Sequence, residues 1–153
     1  RDWSSDVCSS DLPMHWNNSK NAGFSTAKPW LRPTDQRRIN VKDELKHGVI
    51  FKYYQQLIKL RKSEELISAG HFKQLLPDHQ QVFAYERWLA DTTEKLIVLV
   101  NFYGEQAIVT LPQELIKQRG KVFLSNYKHH EETLELPAQV TLRPYEALVY
   151  KTK

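Results

Sequence analysis

The chain is poor in cysteine and has no long apolar run, and both shortages limit what it can be. Cys8 is the only cysteine among 153 residues, so a disulfide framework and a cysteine-ligated metal site are both excluded. No apolar stretch approaches the roughly 18–20 residues that a membrane-spanning helix needs. We therefore expect no membrane partner, no metal and no cofactor, and the cysteine content is compatible with a reducing cytoplasm, which is the expected location.

Basic residues exceed acidic ones, but they are not concentrated anywhere. The formal net charge is +4, and the Lys and Arg residues are scattered from Lys20 to Lys153 without a dense cluster or a known docking motif. Charge alone affects solubility and non-specific association. We therefore expect no nucleic-acid partner. The apolar fraction of 41% and the charged fraction of 26% are those of an ordinary globular protein.

Residues 13–42 show no sustained helical or strand period and predict a long ordered loop. Long loops in compact domains are usually functional or disordered. This one carries three aromatic side chains, those of Trp16, Phe24 and Trp30, and we expect them to be buried as anchors that keep the loop ordered.

Residues 49–62 predict one clear helix. Apolar residues recur there at helical spacing and form a stripe on one face. The members of the stripe are Ile50, Tyr53, Tyr54, Leu57 and Ile58. Gly48 is a tolerable N-cap. The stripe predicts a helix that packs one face against a core.

From His71 onward the apolar period changes to two, and turn residues recur at short intervals, which is typical of an antiparallel β-sandwich. Eight strands are predicted, over residues 72–76, 81–88, 94–102, 106–111, 121–127, 133–136, 139–142 and 145–151. Residues 96–100 are apolar on both faces, so we expect their strand to be central. Phe83 and Tyr85 share one face of their strand and are predicted to lie in the core, which leaves Trp88 as the open candidate for a sugar platform.

Three segments carry recognisable motifs. Residues 13–24 read Pro-Met-His-Trp-Asn-Asn-Ser-Lys-Asn-Ala-Gly-Phe and are followed by Pro29-Trp30, residues 51–61 read Phe-Lys-Tyr-Tyr-Gln-Gln-Leu-Ile-Lys-Leu-Arg, and residues 142–150 read Leu-Arg-Pro-Tyr-Glu-Ala-Leu-Val-Tyr. The three segments resemble the α-amylase superfamily, in its oligo-1,6-glucosidase, α-glucosidase and trehalose-6-phosphate hydrolase branch. The first resembles the family segment Pro-Met-Gln-Trp-Asp…Asn-Ala-Gly-Phe…Pro-Trp, the second the last helix of the (β/α)8 barrel, and the third the closing strand of the C-terminal domain.

The resemblance implies that this chain is the C-terminal part of a retaining α-glucosidase that cleaves short oligosaccharides or trehalose 6-phosphate. The family's catalytic carboxylates lie before the Pro-Met segment, so no catalytic residue is assigned and the fragment alone is expected to be non-catalytic. The implied fold is mainly β, an antiparallel sandwich preceded by a loop and one helix of the barrel. Residues 13–66 would belong to the catalytic domain and residues 67–153 to the sandwich, and the missing N-terminal barrel would be the partner.

His15, Trp16 and Asn17 are the candidate binding residues, on the rim of the substrate pocket that this loop borders in the family. His15 stands where the family usually has Gln, and Asn17 where it usually has Asp. Neutral imidazole and amide groups can hydrogen-bond sugar hydroxyls, and Trp16 could stack on a pyranose ring. The alternative is that Met14 and Trp16 pack the loop onto the barrel, and we favour it for those two residues. For His15 and Asn17 both readings stay open.

Residues 1–12 match nothing in the family, and we interpret them as an artefact. They read as the translation of a common sequencing-library adapter in one frame, and the family pattern begins immediately afterwards. Such segments are excluded from fold reasoning.

Two other functions remain open. One is a free-standing carbohydrate-binding β-sandwich module, and the other is an interaction domain without a ligand. Neither requires a barrel-type helix before the sandwich, so the predicted helix favours the glucosidase interpretation.

Overall fold

The computed structural model describes residues 12–128 and 133–153, and the chain divides into two compact units. Unit 1 extends to Ile58 and unit 2 runs from Lys59 to Lys153. The interpretation of residues 1–12 as foreign falls outside the described residues except for Leu12. The predicted domain boundary between residues 66 and 67 stays a prediction. No helix in the described part of the chain is long and apolar enough to cross a membrane.

Unit 1 begins with a loop that lasts until Asn40, followed by helix α1 (Val41–His47). Asn40 is buried and caps this helix, because its Oδ1 accepts the backbone N–H of Asp43 at 3.0 Å. Its Nδ2 donates to the carbonyl oxygen of Gln36 at 2.9 Å. The sequence analysis did not predict α1, which is too short to show a clear apolar period.

Helix α2 (Ile50–Ser63) confirms the helix predicted over residues 49–62. Gly48 ends α1 instead of capping α2. One N–H group in the first turn of α2 is satisfied by Glu44, whose Oε1 accepts the backbone N–H of Phe51 at 3.0 Å. No residue of α2 is buried, although the apolar stripe is present, and Tyr54 is 63% exposed.

The three aromatic side chains of the loop are not the buried anchors that the sequence predicts. Trp16 and Phe24 are each 51% exposed and Trp30 is 80% exposed. The loop is held instead by its own hydrogen bonds, including those from Asn21 Nδ2 to the carbonyl oxygens of Ser25 and Ala27, both at 3.1 Å.

Unit 2 contains the eight predicted strands, together with the short helix α3 (Glu65–Ser68) and a 3₁₀ turn (Gln113–Leu115). The strands are β1 (His71–Leu75), β2 (Val82–Trp88), β3 (Lys95–Asn101), β4 (Ala107–Thr110), β5 (Arg119–Ser125), β6 (Thr133–Glu135), β7 (Gln139–Leu142) and β8 (Ala147–Thr152). They form a six-stranded sheet in the order β1-β2-β3-β8-β5-β6 and a two-stranded sheet of β4 and β7. All pairings are antiparallel. The chain is therefore mainly β, as predicted.

The core of unit 2 contains side chains from both sheets. The six-stranded sheet contributes Ala84, Ile97, Leu99 and Leu148, and the two-stranded sheet contributes Ala107, Val109, Val140 and Leu142. Strand β3 lies inside the large sheet and is buried on both faces from Leu96 to Leu99. This arrangement confirms the prediction of a sandwich with a central strand at residues 94–102.

The face assigned to β2 was wrong. Val82, Ala84 and Glu86 are the buried residues of this strand, so Phe83 and Tyr85 point to the opposite face. Phe83 is 39% exposed, and its ring centroid lies 5.5 Å from that of Tyr85. Both faces of β2 carry apolar residues, and the face with the smaller ones, Val82 and Ala84, lies in the core.

Candidate functional site

The loop of unit 1 closes on itself through a tight turn around Ala22. The backbone N–H groups of Trp16 and Asn17 donate to the carbonyl oxygen of Ala22, at 2.8 and 3.1 Å. Ala22 is fully buried at 0% exposure, and Ala22 and Gly23 have φ angles of 57° and 68°. Since glycine adopts such angles without a steric cost, Gly23 helps to fix the backbone of the predicted rim residues.

The Asn17 side chain takes part in this turn. Its Oδ1 accepts the backbone N–H of Ser19 at 2.9 Å. A Cβ atom at Gly23 would lie 2.4 Å from Asn17 Nδ2, so the side chain occupies space that only glycine leaves open. The asparagine therefore shapes the loop, with its Nδ2 lying against Gly23.

His15 is half-buried and connects two distant parts of the loop. Its Nδ1 lies 3.1 Å from the carbonyl oxygen of Ile39. A carbonyl can only accept, so a hydrogen bond here requires the proton on Nδ1, and in the neutral imidazole Nε2 is then an acceptor. The carbonyl oxygens of His15 and Trp16 accept the first N–H groups of α1, from Val41 at 2.8 Å and Lys42 at 3.1 Å. A neutral imidazole in this position can accept a hydrogen bond from a sugar hydroxyl.

An open groove of about 610 Å³ runs beside His15 in unit 1. Its walls are mostly apolar and include Pro13, Met14, Ile39, Val41, Phe51 and Tyr54. Of the three predicted rim residues, only His15 lines this groove, and the other two lie outside its lining. Trp16 is half-exposed. A role for any of the three on a substrate-pocket rim stays a prediction.

The described lining of the groove lacks the pair of carboxyl groups that glycoside hydrolysis requires. Glu44 is the one carboxylate among its described lining residues, and its Oε1 already accepts the N–H of Phe51. A retaining glycosidase needs two carboxyl groups about 5–5.5 Å apart. The described residues also contain no group of three or more His, Cys, Asp or Glu side chains that could hold a metal ion. This part of the loop can therefore bind and position but does not supply a carboxylate dyad.

Sequence reasoning missed a cationic pocket in the same unit. Lys20, Lys28 and Arg32 line a cavity of about 580 Å³ together with Asn21 and Thr26. The three cations are exposed and have no ion pair within the described residues. They are spread over thirteen positions of irregular loop, so no local charge run marked them. Their convergence makes this surface attractive to an anion.

Comparisons with known proteins extend over both units. Residues 5–70 match a family model described as alpha amylase, catalytic domain, and residues 82–149 match one described as the alpha-amylase SusG C-terminal domain. Over these two stretches the chain is similar to the catalytic domain and the C-terminal domain of alpha-amylases. The two matches follow one another as the catalytic and C-terminal domains do, so the sandwich corresponds to the C-terminal region of an alpha-amylase-family enzyme.

Individual relatives agree with this assignment. The chain is 36% identical over 143 residues to an oligo-1,6-glucosidase of Bacillus cereus. This match covers 92% of this chain and 25% of the relative. It is 36% identical over 146 residues to a trehalose-6-phosphate hydrolase of Bacillus subtilis, and this match covers 93% of this chain and 25% of the relative. The crystal structure of the trehalose-6-phosphate hydrolase of Bacillus licheniformis superposes with a TM-score of 0.79 at 35% identity, covering 94% of this chain and 26% of that one. The chain thus spans about a quarter of the length of the relatives it matches.

Proposed function

We propose that this chain is the C-terminal part of a retaining α-glucosidase that hydrolyses α-glucosidic bonds in short oligosaccharides, of the oligo-1,6-glucosidase or trehalose-6-phosphate hydrolase type. In this proposal the catalytic carboxylates come from sequence outside the chain. Residues 13–66 supply the last barrel loop and helix, and residues 67–153 supply the C-terminal domain. By itself the chain is non-catalytic and structural. The near-continuous similarity to relatives of both names supports this proposal.

The observation that carries the proposal is the uncovered apolar surface of unit 1. Helix α2 has an apolar stripe but no buried residue, and the groove beside it is lined mainly by apolar side chains. Exposed apolar patches of this kind mark surfaces that pack against another body. The strands and helices of an alpha-amylase barrel are such a body. A free-standing carbohydrate-binding module needs neither α2 nor the groove.

The first test is an activity assay on the chain itself. We expect no turnover of isomaltose, p-nitrophenyl α-glucoside or trehalose 6-phosphate above a mock preparation, because the described part of the site holds no carboxylate dyad. Turnover clearly above the mock would refute the proposal.

The second test is made on the parent protein with its barrel. The gene sequence upstream of the codon for Pro13 is determined at its chromosomal locus, and the complete protein is expressed. We expect α-glucosidase activity that releases the α-anomer of glucose, as a retaining enzyme does. An upstream sequence without a barrel, or a product of inverted configuration, would contradict the proposal.

The cationic pocket of Lys20, Lys28 and Arg32 suits a phosphorylated glucoside. Trehalose 6-phosphate therefore belongs in the assay beside the neutral isomaltose.

We propose that the parent enzyme is located in the cytoplasm. Fractionation of the source cells, with an activity assay of each fraction, tests that location.

We also infer that residues 1–12 are foreign to the natural protein. The support is that all twelve residues fit one reading frame of a sequencing adapter. The catalytic-domain match begins at residue 5, so residues 5–12 are the part to check. The same locus sequencing decides the point, since a natural coding sequence for these residues would contradict the inference.

A further inference from the structure

A small pocket in unit 2 combines exposed aromatic rings with neutral amides. It has a volume of about 260 Å³ and lies where the turn between β1 and β2 meets the end of β3. The residues that give it its chemistry are Gln74, Gln81, Phe83, Phe102 and Tyr103. We call it the aromatic–amide pocket. It shares no lining residue with the groove or the cationic pocket of unit 1.

The aromatic rings of this pocket are accessible although they are apolar. Phe83 is 39% exposed, Phe102 is 63% exposed and Tyr103 is 51% exposed. Single exposed apolar residues are normal on a protein surface, but three neighbouring exposed rings form a patch, and such patches mark binding sites. Their flat faces offer apolar area of the kind that the C–H face of a pyranose ring can cover.

Two neutral polar side chains of the pocket, those of Gln74 and Gln81, are available. Its described lining includes no Lys, Arg, Asp or Glu. The side-chain amides of Gln74 and Gln81 have no hydrogen-bond partner within residues 12–128 and 133–153. Each amide carries one acceptor and two donor hydrogens, which suits adjacent sugar hydroxyls that both donate and accept.

The backbone that carries these side chains is fixed in advance. His79 Nδ1 accepts the N–H groups of Gln81 at 3.2 Å and Val82 at 3.1 Å, which holds the turn. The N–H of Phe102 donates to the carbonyl oxygen of Gln81 at 3.1 Å and ties the two walls together. The N–H of Tyr103 donates to Asn101 Oδ1 at 3.0 Å. A preorganised site loses less free energy on binding because little must be ordered.

We infer that the aromatic–amide pocket is a non-catalytic binding site for a neutral pyranose unit, the glucose ring of a short α-glucoside. The pocket is large enough for one ring and not for a chain of rings. Its lack of charge excludes an ionic partner as the preferred ligand. The choice of an α-glucoside rests on the proposed function, whereas the neutral pyranose site rests on the pocket alone. Such a site would hold oligosaccharide near the parent enzyme.

The test is a titration of the ¹⁵N-labelled chain with isomaltotriose, followed by two-dimensional NMR. We expect saturable shifts at the amides of Gln81, Phe83, Phe102 and Tyr103, with a Kd on the order of 1 mM for such a shallow site. Sorbitol, an acyclic polyol without a ring face, should cause no saturable shift. Because binding is read without catalysis, this result is independent of whether the parent is a glucosidase.

Two matched variants locate the site. Phe102→Ala should weaken binding at least fivefold, because it removes the most exposed ring of the pocket. Phe72→Ala removes a ring of similar exposure, 54%, on β1 outside the pocket lining, and should leave Kd unchanged within twofold. Spectra of both variants away from the substitution report whether the fold is retained.

Three outcomes would overturn the inference. They are the absence of saturable shifts with isomaltotriose, equal shifts with sorbitol, and equal weakening by Phe102→Ala and Phe72→Ala. If Phe102→Ala does not fold, Gln81→Leu replaces it, since this change keeps the bulk and removes the amide. Wild-type affinity in that variant would contradict the role of the amide.

Discussion

The ammonium group of Lys151 lies 3.0 Å from Glu64 Oε2 and joins strand β8 to the residue that precedes helix α3. Glu94 Oε2 is a second partner at 3.3 Å. Lys151 and Glu64 each retain only 19% side-chain exposure. Burial alone would lower the pKa of Lys151, but the hydrogen bonds to Glu64 and Glu94 and the charges of both carboxylates outweigh it and raise that pKa.

Replacing this lysine should destabilise unit 2 in a pH-dependent way. We expect Lys151→Met to lower the free energy of unfolding by about 1.5–3 kcal/mol at pH 7, the range for hydrogen bonds to charged groups. The folded-state pKa is raised above the ordinary value of 10.5, so the stabilisation is fully present below about pH 10.5. It should disappear as the pH rises through the raised pKa. Urea unfolding of both chains between pH 7 and pH 11.5 measures the difference.

The control for this prediction is Lys121→Met. Lys121 is the cross-strand neighbour of Lys151 and is exposed, with no ion pair within the described residues. The Lys121→Met substitution should change the free energy of unfolding by less than about 0.5 kcal/mol. A wild-type advantage over Lys151→Met that stays constant up to pH 11.5 would contradict the assignment.

Asn101 should be among the most sensitive polar positions of unit 2. It is 1% exposed, its Nδ2 donates to the carbonyl oxygens of Glu105 at 2.7 Å and Arg143 at 2.9 Å, and its Oδ1 accepts from Tyr103. Asn101→Ala leaves these groups without their partner, and we expect a loss of about 2–4 kcal/mol, since each unsatisfied buried group costs about 1–3 kcal/mol. Thermal and urea unfolding measure it.

Gln106→Ala serves as the comparison for Asn101→Ala. Gln106 lies five residues further along the chain and is exposed. We expect its replacement to stay within about 0.5 kcal/mol of the wild type. Equal effects of the two substitutions would show that the Asn101 hydrogen bonds carry no special weight.

The elements of this fold that follow a local period could be predicted from sequence. The spacing of apolar residues predicted helix 49–62 within one residue at each end. Alternation and the spacing of turns predicted the eight strands, together with the continuous apolar run of residues 96–100. Helix α1 was missed because its start depends on non-local partners, namely the carbonyl oxygens of His15 and Trp16, which receive its first N–H groups. The face of β2 was assigned wrongly because Phe83 and Ala84 are both apolar, and only packing against the second sheet distinguishes them.

The sites were harder to predict for the same reason. His15 meets the carbonyl of Ile39 across 24 positions of sequence, and Phe102 donates to the carbonyl oxygen of Gln81 just beyond the paired residues of β2 and β3. Neither pair has a sequence signal. The motif of residues 13–30 located the loop, but the groove, the cationic pocket and the aromatic–amide pocket arise from contacts between distant segments.

Replacing Gly48 with alanine should destabilise unit 1, because the Glu44 carboxylate occupies the space that the new methyl group would need. A Cβ atom at Gly48 would lie 1.9 Å from Glu44 Cδ, so Gly48→Ala must displace the group that caps Phe51. The φ of Gly48 is −72°, so the backbone itself accepts alanine. We expect the lost cap, about 0.5–2 kcal/mol, to outweigh the gain of about 0.4–1 kcal/mol from a stiffer unfolded chain. Hydrogen exchange of the Phe51 amide should become faster.

A double-mutant cycle isolates this contact. In a Glu44→Ala background the obstacle is gone, and Gly48→Ala should become stabilising by about 0.4–1 kcal/mol. The coupling between the two positions should therefore be on the order of 1 kcal/mol. Identical effects of Gly48→Ala in both backgrounds would show that the Glu44 side chain does not occupy that space.

Helix α2 should make the isolated chain associate with itself. Tyr54 and Ile58 stand one turn apart on the helix and are 63% and 55% exposed. Burying one such side chain stabilises by about 1.5–3 kcal/mol. We therefore expect a concentration-dependent oligomer in sedimentation experiments. The double variant Tyr54→Gln/Ile58→Gln should weaken association at least about tenfold, because it removes both apolar contacts while glutamine keeps a high helix propensity.

Two controls make this prediction specific to the stripe. Lys52→Gln with Lys59→Gln changes two exposed polar positions of the same helix and should leave association unchanged. Hydrogen exchange should show strong protection in β3, buried on both faces, and weak protection in α2 at low concentration. A strictly monomeric wild-type chain whose α2 amides are protected as strongly as those of β3 would contradict the prediction. That result would mean that the helix already has its packing partner within the chain, and it would favour the self-contained carbohydrate-binding module over the fragment of a glucosidase.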